Sequence, residues 1–214
     1  QFATILDGEN TRSVVYNDFY ENSPLTASAG LDGFVIRNGW SDWKGAGIYN
    51  VNASPSLSNL TISNNYSEGY GAGIANDEIS SPIITNVLIT GNNASYSGGG
   101  IWNNDASSPV LTNVTLSGNR AEEGGGIYND GNKDLPTIRN SIIYGNSSSI
   151  NNLEEVKSYI RNSMVEGLHD VANGNISSVN PLFVEQPAFY LAPFATGDFR
   201  LRVESTLLNQ GSGA

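Results

Sequence analysis

The chain has no cysteine, one histidine and one methionine, and no apolar run near the about 18 residues that a membrane-spanning helix needs. The missing thiols exclude disulfides and thiolate metal centres, although they leave the compartment open. His169, in "EGLHDVANG", has no second histidine beside it and no serine or cysteine motif at a sharp turn. Neither a zinc site nor a catalytic triad can be assembled on it, and it reads as a loop residue. Positive charge is also scarce, 10 basic against 21 acidic residues, for a net charge of -11. That balance repels nucleic-acid phosphates and anionic membrane surfaces, so neither is expected as a partner.

Charged residues make up 14% of the chain, so its surface must consist largely of neutral Asn, Ser, Thr and Gly. These residues suit strands and tight turns better than helices. The chain opens on "QFATILDG", which already reads as a strand, so we expect either a removed leader or a piece of a longer protein. Seven Asn-X-Ser/Thr sequons begin at Asn52, Asn59, Asn65, Asn93, Asn113, Asn146 and Asn175. A chain so rich in these residues generates sequons by chance.

What the chain has in abundance is repetition. "SPSLSNLTISNN" from Ser54, "SPIITNVLITGN" from Ser81, "SPVLTNVTLSGN" from Ser108 and "LPTIRNSIIYGN" from Leu135 place Pro55, Pro82, Pro109 and Pro136 at intervals of 27. A second string, "GAGIYN", "GAGIAN", "GGGIWN" and "GGGIYN", recurs with Ile48, Ile74, Ile101 and Ile127 in register. Each period holds three short segments of alternating character, the pattern of half-buried strands. Such a unit cannot bury an apolar face alone and must stack on its neighbours.

We therefore expect an all-β, right-handed parallel β-helix of about seven coils, with equivalent positions stacked roughly 4.8 Å apart. Leu60, Val87, Val114 and Ser141 form one inward column, Ile62, Ile89, Leu116 and Ile143 another, and the four "GI" isoleucines a third. Asn50, Asn76, Asn103 and Asn129 form an asparagine ladder, while Thr115 and Ser117 face outward. Thr4 to Gly8 and Ser13 to Asn17 read as a degenerate first coil, and Ile160 and Asn162 mark a shortened coil. The helix should occupy residues 1–180, with 181–214 as a C-terminal capping segment of the same domain.

These strings resemble the GGA-I and F-x-x-N repeats of the polymorphic outer-membrane proteins. "NPLFV" at Asn180, "GDFRL" at Gly197 and "NQGSG" at Asn209 are similar to the terminal stretch of secreted bacterial β-helix proteins. The resemblance covers essentially the whole chain and implies a fold rather than an activity. It points to extracellular or cell-surface proteins, mostly adhesive or without assigned role. In place of a "SPAIN"-like ending this chain has "STLLNQ".

A glycine-rich loop that cradles phosphate must lead into a helix N-terminus, usually with a Lys and a Ser or Thr. Here each glycine string precedes a strand, with Lys44 the one lysine beside any of the four. The glycines are expected to make bends where a Cβ would clash or φ is positive. A lyase or hydrolase needs clustered carboxylates, and the columns Lys44, Tyr70, Ser97, Glu123 and Trp43, Gly69, Tyr96, Glu122 do not stack them. An enzyme of the polysaccharide lyase or hydrolase type is the least favoured alternative. Asp32 and Arg37 read as an isolated surface pair.

Two candidate sites remain. Asp77, Asp105 and Asp130 follow the "GIYN" strands and are weak calcium ligands; no other cofactor is expected. Tyr49, Trp102 and Tyr128 occupy the outward position of those strands, with Trp40, Trp43, Tyr66, Tyr70 and Tyr96 in the adjoining turns. Such rings can stack on sugar faces or anchor a protein partner at a cell surface, or simply shield the sheet. The reading is a non-catalytic adhesive or carbohydrate-contacting stalk. The alternative is a filament or surface-layer subunit that self-associates through its solenoid ends.

Overall fold

The structure is a computed structural model that describes residues 3–19, 24–130, 135–169 and 171–211. Gly131 and Asn132, beyond the fourth glycine string, and the end of "NQGSG" lie outside the described residues.

Three parallel sheets wrap one apolar column, as the repeat demands. The first, with seven strands, runs from Thr4–Asp7 and Phe34–Arg37 through Thr61–Ser63, Leu88–Thr90 and Thr115–Ser117 to Ile142–Ile143 and Met164–Val165. The second has five strands: Val15–Asp18, Ile48–Val51, Ile74–Asp77, Ile101–Asn103 and Ile127–Asn129. The third has six, from Gly30–Asp32 to Ile160–Arg161. About five turns carry all three faces, fewer than the seven expected, because the coils at both ends are partial. A short fourth strand, Trp40–Ser41, Tyr66–Ser67 and Asn93–Ala94, appears in three of the coils. Among the described residues, helix is confined to Leu153–Val156 and three single 3-10 turns.

Register explains the core. Ile48, Ile74, Ile101 and Ile127 pair strand to strand and are all fully buried. Ile62, Ile89, Leu116 and Ile143 do the same in the first sheet, and Leu57, Ile84, Leu111 and Ile138 in the third. Burial of each such side chain contributes about 1.5–3 kcal/mol, summed along every column. Asn59, Asn86, Asn113 and Asn140 turn the corner between third and first sheets in the left-handed conformation, with φ between 49° and 57°. Asparagine tolerates that region better than any other residue with a Cβ except aspartate.

Asparagine also holds the interior. The expected ladder is present, each amide nitrogen donating to the next side chain: Asn50 to Asn76 at 2.9 Å, Asn76 to Asn103 at 2.9 Å and Asn103 to Asn129 at 2.8 Å. A second buried ladder, unforeseen, runs through Asn65, Asn92, Asn119 and Asn146, at 2.8, 2.9 and 2.9 Å. Each of its rungs also satisfies backbone: Asn119 Oδ1 accepts from Asn92 N–H, and Asn119 Nδ2 donates to Ile89 C=O.

Several outward assignments need correction. Ser117 is buried, as are Ser63 and Thr90 in the same column, and Gln186 Nε2 reaches over it and donates to its Oγ at 3.1 Å. The C-terminal segment supplies that cover: Phe194 N–H donates to Gly91 C=O at 2.9 Å, with its ring against Gly118. Asp32 and Arg37 are not an isolated pair. Arg37 Nε binds Asp7 of the preceding coil at 2.9 Å, and Asp32 accepts from Ser58 and Asn59 of the following one. Both are bonds between coils that one repeat alone cannot reveal.

Candidate functional site: an aromatic groove across the coils

The glycine strings build the site. Gly45, Gly71, Gly98 and Gly124 have φ between 56° and 71°. A Cβ on them would lie 2.4–2.7 Å from the Cβ of the outward residues Tyr49, Ala75, Trp102 and Tyr128. Bare glycine thus lets the chain fold back sharply, so the turn before it and the outward row of the strand after it meet in a concave angle. Glycines later in the strings permit stacking: a Cβ on Gly73 or Gly100 would sit 2.4 or 2.5 Å from the glycine carbonyl of the next coil.

Stacking turns that angle into a groove. Lys44, Tyr70, Ser97 and Glu123 bridge one another in parallel along one wall. Tyr49, Ala75, Trp102 and Tyr128 are paired along the other. Tyr70 is the hub, its ring 5.3 Å from Trp43, 5.3 Å from Trp102 and 5.7 Å from Tyr96. Where Ala75 interrupts the ring column, Lys44 reaches across: its Nζ lies 4.7 Å above the Trp102 ring and 2.6 Å from Asp77 Oδ2. Tyr49 and Asn104 also donate to Asp77, at 3.2 and 2.9 Å. Burial by itself would raise the Asp77 pKa, but the bonds from Lys44, Asn104 and Tyr49 outweigh it and hold the carboxyl below its ordinary 3.8.

The resulting recess has two lobes. One of about 530 Å³ is lined by Trp43, Tyr70, Tyr96, Trp102 and Tyr128 with Ser97, Asn104, Glu122, Glu123 and Asp130. The other, about 450 Å³, shares Trp43 and Lys44 with it and extends to Tyr49, Trp40, Tyr16 and Arg12. Trp43 and Tyr96 are 55% and 50% exposed, whereas Trp102 is only 3% exposed. Trp102 was expected to be an open platform; it is the floor, covered by Lys44 and Tyr70.

Seven of the eight candidate aromatics therefore line two adjoining lobes that share Trp43 and Lys44. Tyr66 does not; it pairs with Trp40 one coil away, and its hydroxyl lies 3.3 Å from Ser95 Oγ. The aspartates are dispersed in role: Asp77 is engaged by Lys44, Asp105 accepts from Asn104, and Asp130 borders the groove. Among the described residues no three His, Cys, Asp or Glu side chains converge as a metal site would require. The residues missed are Lys44, Glu122, Glu123 and Tyr16. For the first three the signal was already in the aligned columns beside the glycines.

The fold and the recess define a parallel β-helix repeat protein with an aromatic groove across successive coils. Residues 113–130, from the corner Asn113 through the glycine bend to Asp130, match the Chlamydia polymorphic membrane protein repeat. The chain is thus a β-helix repeat protein similar to those membrane proteins, and the matched unit contains two strands, Thr115–Ser117 and Ile127–Asn129, one groove-forming turn and one asparagine from each buried ladder, Asn119 and Asn129. No curated protein and no solved structure matches the chain.

Proposed function

We propose that the protein is a non-catalytic extracellular or cell-surface β-helix that contacts carbohydrate through this groove. The observation that carries the reading is the half-exposed pair Trp43 and Tyr96 beside a recess that Ser97 and Asn104 also line. Aromatic faces stack on the C–H faces of pyranose rings, and neighbouring amides and hydroxyls bond their OH groups. A surface location is supported by the likeness of residues 113–130 to a polymorphic membrane protein repeat. A rigid solenoid adds reach, and several such molecules on one surface gain avidity from individually weak contacts. The test is a glycan array read with the native chain and with Trp43→Ala and Tyr96→Ala. Binding that disappears in both variants supports the proposal, and failure of the native chain to bind any glycan overturns it.

A second reading, self-association into a filament or surface layer, draws on the N-terminal coil. Among the described residues, Thr4–Asp7, Val15–Asp18 and Gly30–Asp32 are each the outermost strand of their sheet, and Ile5 is 44% exposed. Parallel edges of this kind accept further strands. Growth of particles with concentration in light scattering supports it; a monomer at all concentrations removes it.

A further inference from the structure

The charge of the groove narrows its ligand. In the larger lobe Lys44 pairs with Asp77, which leaves the carboxylates of Glu122, Glu123 and Asp130, all exposed at its border; the second lobe adds one residue of each sign, Arg12 and Asp42. Among the described residues no cation pairs with these three. Their field is felt by a neighbour: burial raises the pKa of the Tyr128 phenol, and Asp130 and Glu123 raise it further. Acidic ligands are therefore repelled at close range, and cationic ones attracted.

The aromatic wall makes the same selection by a different route. Lys44 Nζ above Trp102 shows that an ammonium already rests on one of these ring faces. The exposed faces of Trp43 and Tyr96 offer that interaction to a ligand cation. A ligand bearing ammonium groups on a ring with apolar faces meets both demands, carboxylates and π faces.

We propose that the groove recognises a glycan with free amino groups, represented by a β-linked glucosamine oligomer, in preference to its N-acetylated or acidic counterparts. This rests on the carbohydrate reading above and specifies its ligand class. Ser97 Oγ and Asn104 Oδ1 also line the recess and are left for ring hydroxyls, Asn104 Nδ2 being bound to Asp77 and Asp105.

The test is titration calorimetry of the intact chain with glucosamine hexamer, N-acetylglucosamine hexamer and hexalysine, at mildly acidic pH where ammonium and glutamate are both charged. We expect glucosamine hexamer to bind at least about tenfold more tightly than the acetylated oligomer at low salt, with the gap closing as salt rises. In the double variant Glu122→Gln/Glu123→Gln, both exposed side chains, the gap should also close while acetylated oligomer binding persists. Trp43→Ala should abolish binding of both sugars. Equal binding of both sugars, unchanged in the double variant, would overturn the charge selection and leave the carbohydrate reading standing. Binding of neither sugar would overturn the proposed ligand class, while the carbohydrate reading stands or falls on the glycan array. Tighter binding of hexalysine than of glucosamine hexamer would overturn the assignment to a sugar.

Discussion

Two flanks of the solenoid treat left-handed glycine in opposite ways. On one, Gly91 and Gly118 turn the corner after the first sheet, and a Cβ on either would lie 2.5 Å or less from an atom of Phe194. The chain fills that recess itself, with Phe194 and Gln186 laid over small outward residues. On the other flank, Gly45, Gly71, Gly98 and Gly124 open a recess that large outward rings partly line and that the described chain leaves unfilled. The same backbone device thus serves cohesion on one side and display on the other. What separates them is the neighbouring side chain: Thr90 and Ser117 against Tyr49, Trp102 and Tyr128.

If this contrast is right, substitutions on the strapped flank and in the frame should cost stability, and those on the open flank should cost binding. The largest effect belongs to the frame that both flanks share. Asn119→Ala removes four buried bonds, those from Asn92 N–H and Nδ2 and those to Ile89 C=O and Asn146 Oδ1, and although Asn92 Nδ2 keeps Ile62 C=O and Asn146 Oδ1 keeps Asn119 N–H, it should destabilise the protein by about 4 kcal/mol in denaturant unfolding. Next comes Gly118→Ala, which strains a residue at φ 70° and displaces Phe194. About 2 kcal/mol should be lost, with faster proteolysis around residues 186–196. Gly98→Ala, its counterpart, instead crowds Trp102, and should alter tryptophan fluorescence while that proteolysis stays unchanged. Similar cleavage in both variants would erase the distinction.

Phe194→Ala should cost about 1–2 kcal/mol, since its ring is only partly buried. Trp43→Ala should change stability by less than about 1 kcal/mol, the edge contact with Tyr70 being its main packing, yet abolish binding. The smallest effect concerns acid. The Asp77 pKa is lowered in the folded state, so its contribution is fully present above about pH 5 and is lost as pH falls through the folded value. Melting temperature between about pH 5 and pH 2 should fall less steeply in Lys44→Met than in the native chain, because burial alone raises the Asp77 pKa.

The architecture was legible in the sequence because stacking makes each aligned column a physical ladder. Ile48 to Ile127 and Asn50 to Asn129 are read in sequence and meet in space at the same register. The buried ladder from Asn65 to Asn146 had the same periodicity and was overlooked, since "SGN" resembles a turn whether its asparagine faces solvent or core. Cover from distant segments was not legible. Alternation says that Ser117 points away from the column; it does not say that Gln186, 69 positions on, lies over it. Trp102 poses the same problem: its outward direction follows from pairing with Tyr128 and Ala75, but its burial depends on Lys44, which must reach across two coils. The groove itself was half visible, since the rings were gathered correctly while the carboxylates beside them were passed over.

The three tryptophans, Trp40, Trp43 and Trp102, all line the recess, so tryptophan emission reports on the open flank. Titration of the native chain with a glucosamine oligomer, followed by that emission, tests the central claim most directly. The account predicts a saturable change that is lost in Trp43→Ala and retained in Phe194→Ala. No saturable change in the native chain, or an equal loss in both variants, would contradict it.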